Sequence, residues 1–360
     1  MAYSGTVGTT VISVQQLIDH GARRCGKLAE ELTSEQVLSA KESLYFFLSS
    51  LINIGIQYWA INKTVIGCIA DNYIYPLPLG SVDVLNALYR TINRPSGGYT
   101  SSTSSSFGNL ANVYDGNTST YYVQANPNGN IQVNYGTNNN VYIASIGIMP
   151  YVAGGGSASW TYVFEYSIDG TNWLTLNGPT TATVTDGQWI WTDINPGQNV
   201  QYYRISAENG TTLSLRELFF GNNTLEVMMS RLNRDDYTNL PNKNFAANQP
   251  YQFWVDRNVP QPNIYIWPTP SNSFVQVTCW YSRQIMDVGA LNGQLEIPQR
   301  WYEAVVNNLA HKMSMELPQV DINRIQYLET QAAKSLNEAE QEERDKSPIY
   351  WAPNISVYTR

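Results

Sequence analysis

Residues Phe164–Trp173 read Phe-Glu-Tyr-Ser-Ile-Asp-Gly-Thr-Asn-Trp. Asp169-Gly170 is a tight-turn dipeptide between two runs with β-type alternation, which is a strong local signal for a hairpin. Around it, Ile146, Ile148, Val163, Tyr203 and Ile205 fall at the spacings of inward-facing strand residues. The charge pattern marks the extent of this β region. Residues 100–223 carry 2 basic and 7 acidic groups, against 7 and 7 in 1–99 and 12 and 15 in 224–360. A nearly uncharged stretch rich in Ser, Thr, Asn, Gly and aromatics suits an all-β module with many turns. The joints fall near Arg94-Pro95-Ser96-Gly97-Gly98 and Gly221-Asn222-Asn223, both rich in turn residues.

The flanks read differently. Ser13 stands three residues before Gln16, and Thr33 three before Gln36, both at capping-box spacing. Val14, Leu17, Ile18, Cys25, Leu28 and Leu32 recur at helical intervals, as do Val37, Leu44, Phe47, Leu48, Leu51, Ile54 and Tyr58. Two antiparallel helices fit best. Residues 63–92 read as short strands, a Pro76/Pro78 turn and a short helix from Ser81 through Leu88, and another short helix is expected near 225–233. Asn263–Pro268 and Ser273–Arg283 read as a hairpin. Pro298 then opens a helix with Trp301, Val305, Leu309 and Met313 on one face. A long helix follows from Asp321 to about Asp345, with Ile325, Leu328, Ala332, Leu336 and Ala339 in register.

The expected organisation is multidomain. A mainly α-helical domain with a small β-hairpin region is interrupted by an all-β sandwich: 1–98, then the insert 99–223, then 224–346, then an extended tail 347–360. A sandwich with adjacent ends can sit in a loop of another domain without breaking its core.

Composition narrows the function. The chain has 360 residues, a charged fraction of 14% and a net charge of −8. That opposes a role in gripping phosphate backbones, which needs clustered Lys and Arg, and does not exclude a ring through which DNA passes. Cys25, Cys68 and Cys279 are few, odd in number and far apart, so no disulfide framework and no zinc spacing is read, and folding in a reducing cytoplasm is expected. The first residues lack a basic stretch followed by an apolar one, so no secretory signal is read. No apolar run reaches membrane-spanning length. His20 and His311 stand on expected helices without a triad pattern. No glycine-rich nucleotide loop, HExxH or nucleophile elbow occurs. Asp235-Asp236 reads as a cap or turn, and Glu338–Glu343 as a solvated face. An enzyme is not expected, and no cofactor is required.

Five motifs, in order, carry a resemblance to the discoidin family, also called the coagulation-factor type C domain, which includes family-32 carbohydrate-binding modules. They are Ala111–Thr120, Ile131–Gly136, Phe164–Trp173, Tyr202–Ile205 and Leu215–Gly221. The resemblance implies a jelly-roll-like sandwich with its ends close together. It also implies a structural calcium ion framed by Asp115, Asn117, Thr120 and Glu217, oxygen donors that suit a hard cation. Asp-Gly-Asn-Thr is equally a good tight turn without an ion. Trp173, Trp191 and Tyr122 read as core. Tyr121 and Trp160 read as exposed, as contacts for a glycan, a tail fibre or a neighbouring tail protein.

With the insert set aside, 1–94 and 224–360 resemble the head-to-tail adaptor family of podovirus-like phages, the tail tubular or DNA-stabilisation proteins. Leu77–Ser81, Asp236–Lys243, Gln249–Arg257, Pro262–Pro270, Glu296–Ala304 and Asn308–Ala310 carry it, by their order. This resemblance implies a virion protein at the neck between capsid and tail, made in the host cytoplasm. It implies a ring, commonly a dodecamer, between portal and tail nozzle, which encloses DNA without reading its sequence. The tail would dock on the portal through Ile349, Tyr350, Trp351, Pro353 and Tyr358. Prolines lower the ordering entropy lost on docking, and large aromatics fill pockets. The alternative is a carbohydrate-binding adhesion protein that acts through its sandwich.

Overall fold

A computed structural model describes residues 11–54, 58–195, 197–272 and 274–343. The tail residues Ile349, Tyr350, Trp351, Pro353 and Tyr358 lie outside them. The helices in chain order are α1 (Val14–Cys25), α2 (Ser34–Ile54), α3 (Arg234–Thr238), α4 (Tyr302–Glu316) and α5 (Ile322–Glu342). The chain groups into two compact units, one formed by residues up to Ile61 with those from Ser282 on, the other by Asn62–Tyr281.

The first unit is helical. Ser13 Oγ accepts from the Gln16 amide while Gln16 Oε1 accepts from the Ser13 amide, so α1 starts where its capping box stands. It stops at Gly26, whose φ of 85° is left-handed, and Leu28 and Leu32 therefore lie beyond it. Thr33 and Gln36 exchange the same pair of bonds at the start of α2. Leu17, Ile18, Leu44, Leu51, Val305, Leu309 and Met313 form the core with Trp301. Trp301 is wholly buried and meets Trp59 edge-on, with ring centroids 5.0 Å apart. Trp301→Ala should cost about 3–5 kcal/mol in denaturant-monitored unfolding. A loss below about 1 kcal/mol would show that the ring contributes little to this core.

The second unit is β, so the fold is mostly β and a mainly α-helical adaptor is not what forms. Its first strands are β1 (Ile61–Gly67), β2 (Ile74–Pro76) and β3 (Ser81–Asn93). Within the insert run β4 (Gly98–Ser101), β5 (Ser105–Phe107), β6 (Tyr122–Gln124), β7 (Asn130–Asn134), β8 (Val141–Tyr142), β9 (Ser145–Pro150), β10 (Ser157–Ser167), β11 (Leu174–Thr185), β12 (Ile190–Asp193), β13 (Asn199–Val200) and β14 (Tyr202–Glu208). Then come β15 (Ser214–Met228), β16 (Ser230–Arg231), β17 (Ala246–Ala247), β18 (Gln252–Val255), β19 (Asn263–Trp267), β20 (Thr269–Pro270) and β21 (Val275–Arg283).

Three local expectations are corrected. Ser81–Leu88 is strand, because Val84, Ala87 and Tyr89 are buried in a β core with Val277 and Ile264. Residues 225–228 and 230–231 are strand as well, and the helix comes later, as α3, with Asp235 and Asp236 in its first turn. β19 and β21 are not a hairpin. β19 pairs with β18 and β2 in a four-stranded sheet, whereas β21 lies between β1 and β3 in another. The two sheets enclose Tyr75, Leu77, Phe253, Ile266 and Cys279.

The insert is a two-sheet sandwich. One sheet runs β11-β10-β14-β7-β4. The other is built on β15, which pairs with β9 and β6. Ile146, Ile148, Tyr162, Phe164, Tyr203 and Ile205 fill the space between them. The Asp169 turn forms as read: its Oδ1 accepts from the amides of Thr171 and Asn172 at 2.9 and 2.8 Å.

β15 does not stop at the edge of the sandwich. Its first half pairs with β9, and its second half pairs with β3 of the surrounding domain, from Asn222 opposite Asn93 to Met228 opposite Leu88. The expected joint at Gly221-Asn222-Asn223 is thus the middle of a strand. Gly221 is there for space, since a Cβ would collide with Ile92 Cγ2. Arg90 reinforces the join: its buried guanidinium donates to Asp193 of the insert at 2.6 Å and to Glu226 of β15. Gly221→Ala should destabilise by about 1–3 kcal/mol through overpacking. Calorimetry of the full chain checks this, and an unchanged melting temperature would mean that the strands are less closely packed here.

Candidate functional site

The Asp-Gly turn after the short 3-10 helix Leu110–Val113 builds the loop read as a calcium frame. Gly116, with φ of 78°, takes the left-handed turn position. Asp115 Oδ1 accepts from the Asn117 amide at 2.7 Å, and Asp115 Oδ2 lies 2.9 Å from Thr120 Oγ1. Thr120 Oγ1 is also 2.8 Å from the Asn117 carbonyl oxygen. The Asn117 carbonyl also accepts from the Thr120 amide at 3.1 Å, so the Thr120 hydroxyl proton is free to serve Asp115, and the loop gathers carboxylate, carbonyl and hydroxyl oxygens around Thr120. Asn117 joins through its main-chain carbonyl, because its side-chain oxygen accepts from the Ser119 amide.

Beneath this exposed loop lies Glu217 on β15, with no solvent exposure. Its Oε2 accepts from Arg94 at 2.8 Å, and its Oε1 has no hydrogen-bond partner among the described residues. Burial pushes its carboxyl up to about 7 and the Asp115 charge adds to this, while Arg94 and the Gly116 amide hold it down. The structure therefore brings Asp115, Asn117, Thr120 and Glu217 to one place. An orphaned buried carboxylate oxygen beside a crowded oxygen cluster fits a hard cation, which carboxylate, carbonyl and hydroxyl oxygens ligate. The site has two carboxylates. Among the described residues no group of three or more His, Cys, Asp or Glu is placed so that it could hold a metal ion.

Two arginines that sequence reasoning did not single out brace this loop. Arg94 donates to the Tyr114 carbonyl at 2.7 Å, and Arg216 to the Thr118 carbonyl at 3.1 Å. Arg216 also pairs with Asp186 at 2.9 Å and lies 5.2 Å over the Tyr151 ring. Tyr151 stacks on Tyr121, with centroids 3.7 Å apart, and Tyr121 on Phe107 at 5.0 Å. Phe107 is 59% exposed, so the stack presents an open aromatic face. Alternation alone could have placed Arg216 and Glu217, as neighbours on one strand, on opposite faces.

Trp160 does not join that face. It is 6% exposed and packs in the sandwich core, because β10 turns it inward with Tyr162 and Phe164. Tyr122 is core, as read. Trp173 and Trp191 are only half-buried, on the outer faces of the sheets. Arg204 lies 4.1 Å over Trp173, and Trp191 stacks on Trp189 and meets Phe219 edge-on.

Residues 98–218 match the F5/8 type C domain, and residues 192–356 match the SU10 adaptor protein family. The fold and these matches give a chain whose middle part is similar to an F5/8 type C domain and whose later part is similar to an adaptor protein. More particularly, it resembles an SU10 adaptor protein carrying an F5/8 type C insert. The matches overlap over 192–218, which includes the start of β15, the strand common to both parts. Neither matched domain type is catalytic.

Solved structures similar to the insert include CBM32-1 from a family 31 glycoside hydrolase of Clostridium perfringens, at 18% identity over 36% of this chain and 97% of that one, with a TM-score of 0.31. Another is the family 32 CBM of C. perfringens NanJ in complex with galactose, at 16% identity over 37% and 99%, with a TM-score of 0.31. No curated protein sequence matches.

Glu217 gives the site a pH signature. Its folded value near 7 exceeds the ordinary 4.5, so folding favours the protonated form. The resulting stability is fully present below about pH 4.5 and is lost as pH rises through about 7. Glu217→Gln stays neutral throughout. In chelator-treated protein, its melting temperature relative to wild type should therefore climb between pH 5 and pH 8. A constant difference would contradict the raised value.

Proposed function

We propose that this protein is a structural component of a phage virion: an adaptor ring, of about twelve copies, at the neck between capsid and tail, joining the portal to the tail nozzle. The observation that carries this reading is the SU10 adaptor match over 192–356, which covers the end of the sandwich, the strands from β15 to β21 and the helices α4 and α5. The net charge of −8 supports a passage that lets DNA slide and helps retain it after packaging. Among the described residues no helix is long and apolar enough to cross a membrane, and a membrane partner is not part of the proposal. The chain beyond Lys346 reaches the portal, with Ile349, Tyr350, Trp351, Pro353 and Tyr358 as its anchors.

In this reading the sandwich takes a structural calcium ion at Asp115, Asn117, Thr120 and Glu217, and contacts tail fibres or neighbouring tail proteins. A second reading, carbohydrate binding by the insert, draws on one observation, the open Phe107–Tyr121–Tyr151 stack with Arg216 and Asp186 beside it. Aromatic faces flanked by charged hydrogen-bonding groups suit a sugar ring.

Single-particle imaging of virions tests the adaptor reading. A ring of this chain directly under the portal is expected, and particles whose chain lacks 348–360 should lose the ring while the purified variant keeps its fold. Density at the fibre tips alone would transfer the role to adhesion.

A further inference from the structure

Arg94 is not part of the matched sandwich. It follows β3 of the surrounding domain, yet it reaches into the cation loop of the insert. Its guanidinium joins the Tyr114 carbonyl and Glu217 Oε2, and it is 18% exposed against none for Glu217. The same group lies 4.5 Å over Phe219 of β15 and 5.3 Å over Phe274, the residue before β21 of the surrounding domain. A Cβ built on Gly116, within the loop itself, would stand 3.5 Å from the Phe274 ring. The loop, the buried carboxylate and the surrounding sheet therefore meet at one guanidinium.

Resting on the calcium reading given above, we propose that Arg94 couples the cation site of the sandwich to the sheet that carries it. By holding Oε2, it fixes Glu217 so that Oε1 remains for the ion. By stacking against Phe274, it passes the ordering of the loop into the base of the insert. Its positive charge beside the site also weakens the hold on a divalent cation, since like charges at short range in a partly buried setting repel strongly. Arg94 is thus a positioning residue with two opposed effects: it lowers affinity and transmits occupancy.

The test uses the full chain, calcium chloride as probe, titration calorimetry for affinity and hydrogen exchange for ordering. In wild type, calcium should slow exchange in the loop 114–120 and also in 88–93 and 274–278. In Arg94→Gln, calcium should bind several-fold tighter and still protect the loop, while the surrounding segments no longer respond. Arg94→Lys keeps the charge without the two-pronged hold. It should bind as wild type does and transmit weakly, which serves if the Gln variant does not fold. Surrounding segments that respond equally in the variants, or stay silent in wild type while the loop is protected, would overturn the coupling. Absence of any calcium binding by wild type would overturn the calcium reading, and the coupling with it.

Discussion

The structure depends on one strand that serves two domains. β15 enters as a central strand of the sandwich and leaves as the partner of β3, without a turn between. Backbone hydrogen bonds continue from one sheet into the next, so the insert is held by a ladder and not by a tether. Around this join the side chains comply with it. Gly221 makes room for Ile92, Arg90 binds carboxylates from both sides, and Trp189 and Trp191 cover Gly67. A buried guanidinium with two carboxylate partners is stable only while both remain, because an unpaired buried charge is costly.

This constraint explains how much of the molecule was legible in its sequence. Capping boxes at Ser13 and Thr33, the Asp169-Gly170 turn and the face of Trp301 are local signals, and each formed as read. The reading of Ser81–Leu88 as helix failed because burial on a long strand between β21 and β15 overrode a helix-compatible pattern. The pairing of β19 with β21 failed for a related reason. Closeness in sequence suggested a hairpin, but the two strands line opposite walls of one core.

The site was legible in part. The resemblance over Ala111–Thr120 and Leu215–Gly221 pointed to the loop and to Glu217, whose carboxyl feels the Asp115 charge and the Gly116 amide. The arginines could not be named in advance. Arg94 stands in a segment that reads as a joint, and its contact with Glu217 spans 123 positions in the chain. Trp160 was misplaced because an aromatic near a turn-rich stretch gives no sign of which way its strand faces until the register is set.

The register at the root of the insert has a consequence for ancestry. Asn93 and Asn222 oppose each other, so the chain comes back at the rung from which it departed. Excising or exchanging everything between them leaves the ladder below unaltered in length and alignment. Such a port accepts any passenger whose two ends lie about 5 Å apart. The carrier would ask of a newcomer the same services at its base: an acid for Arg90 and cover for Gly67 and Phe274.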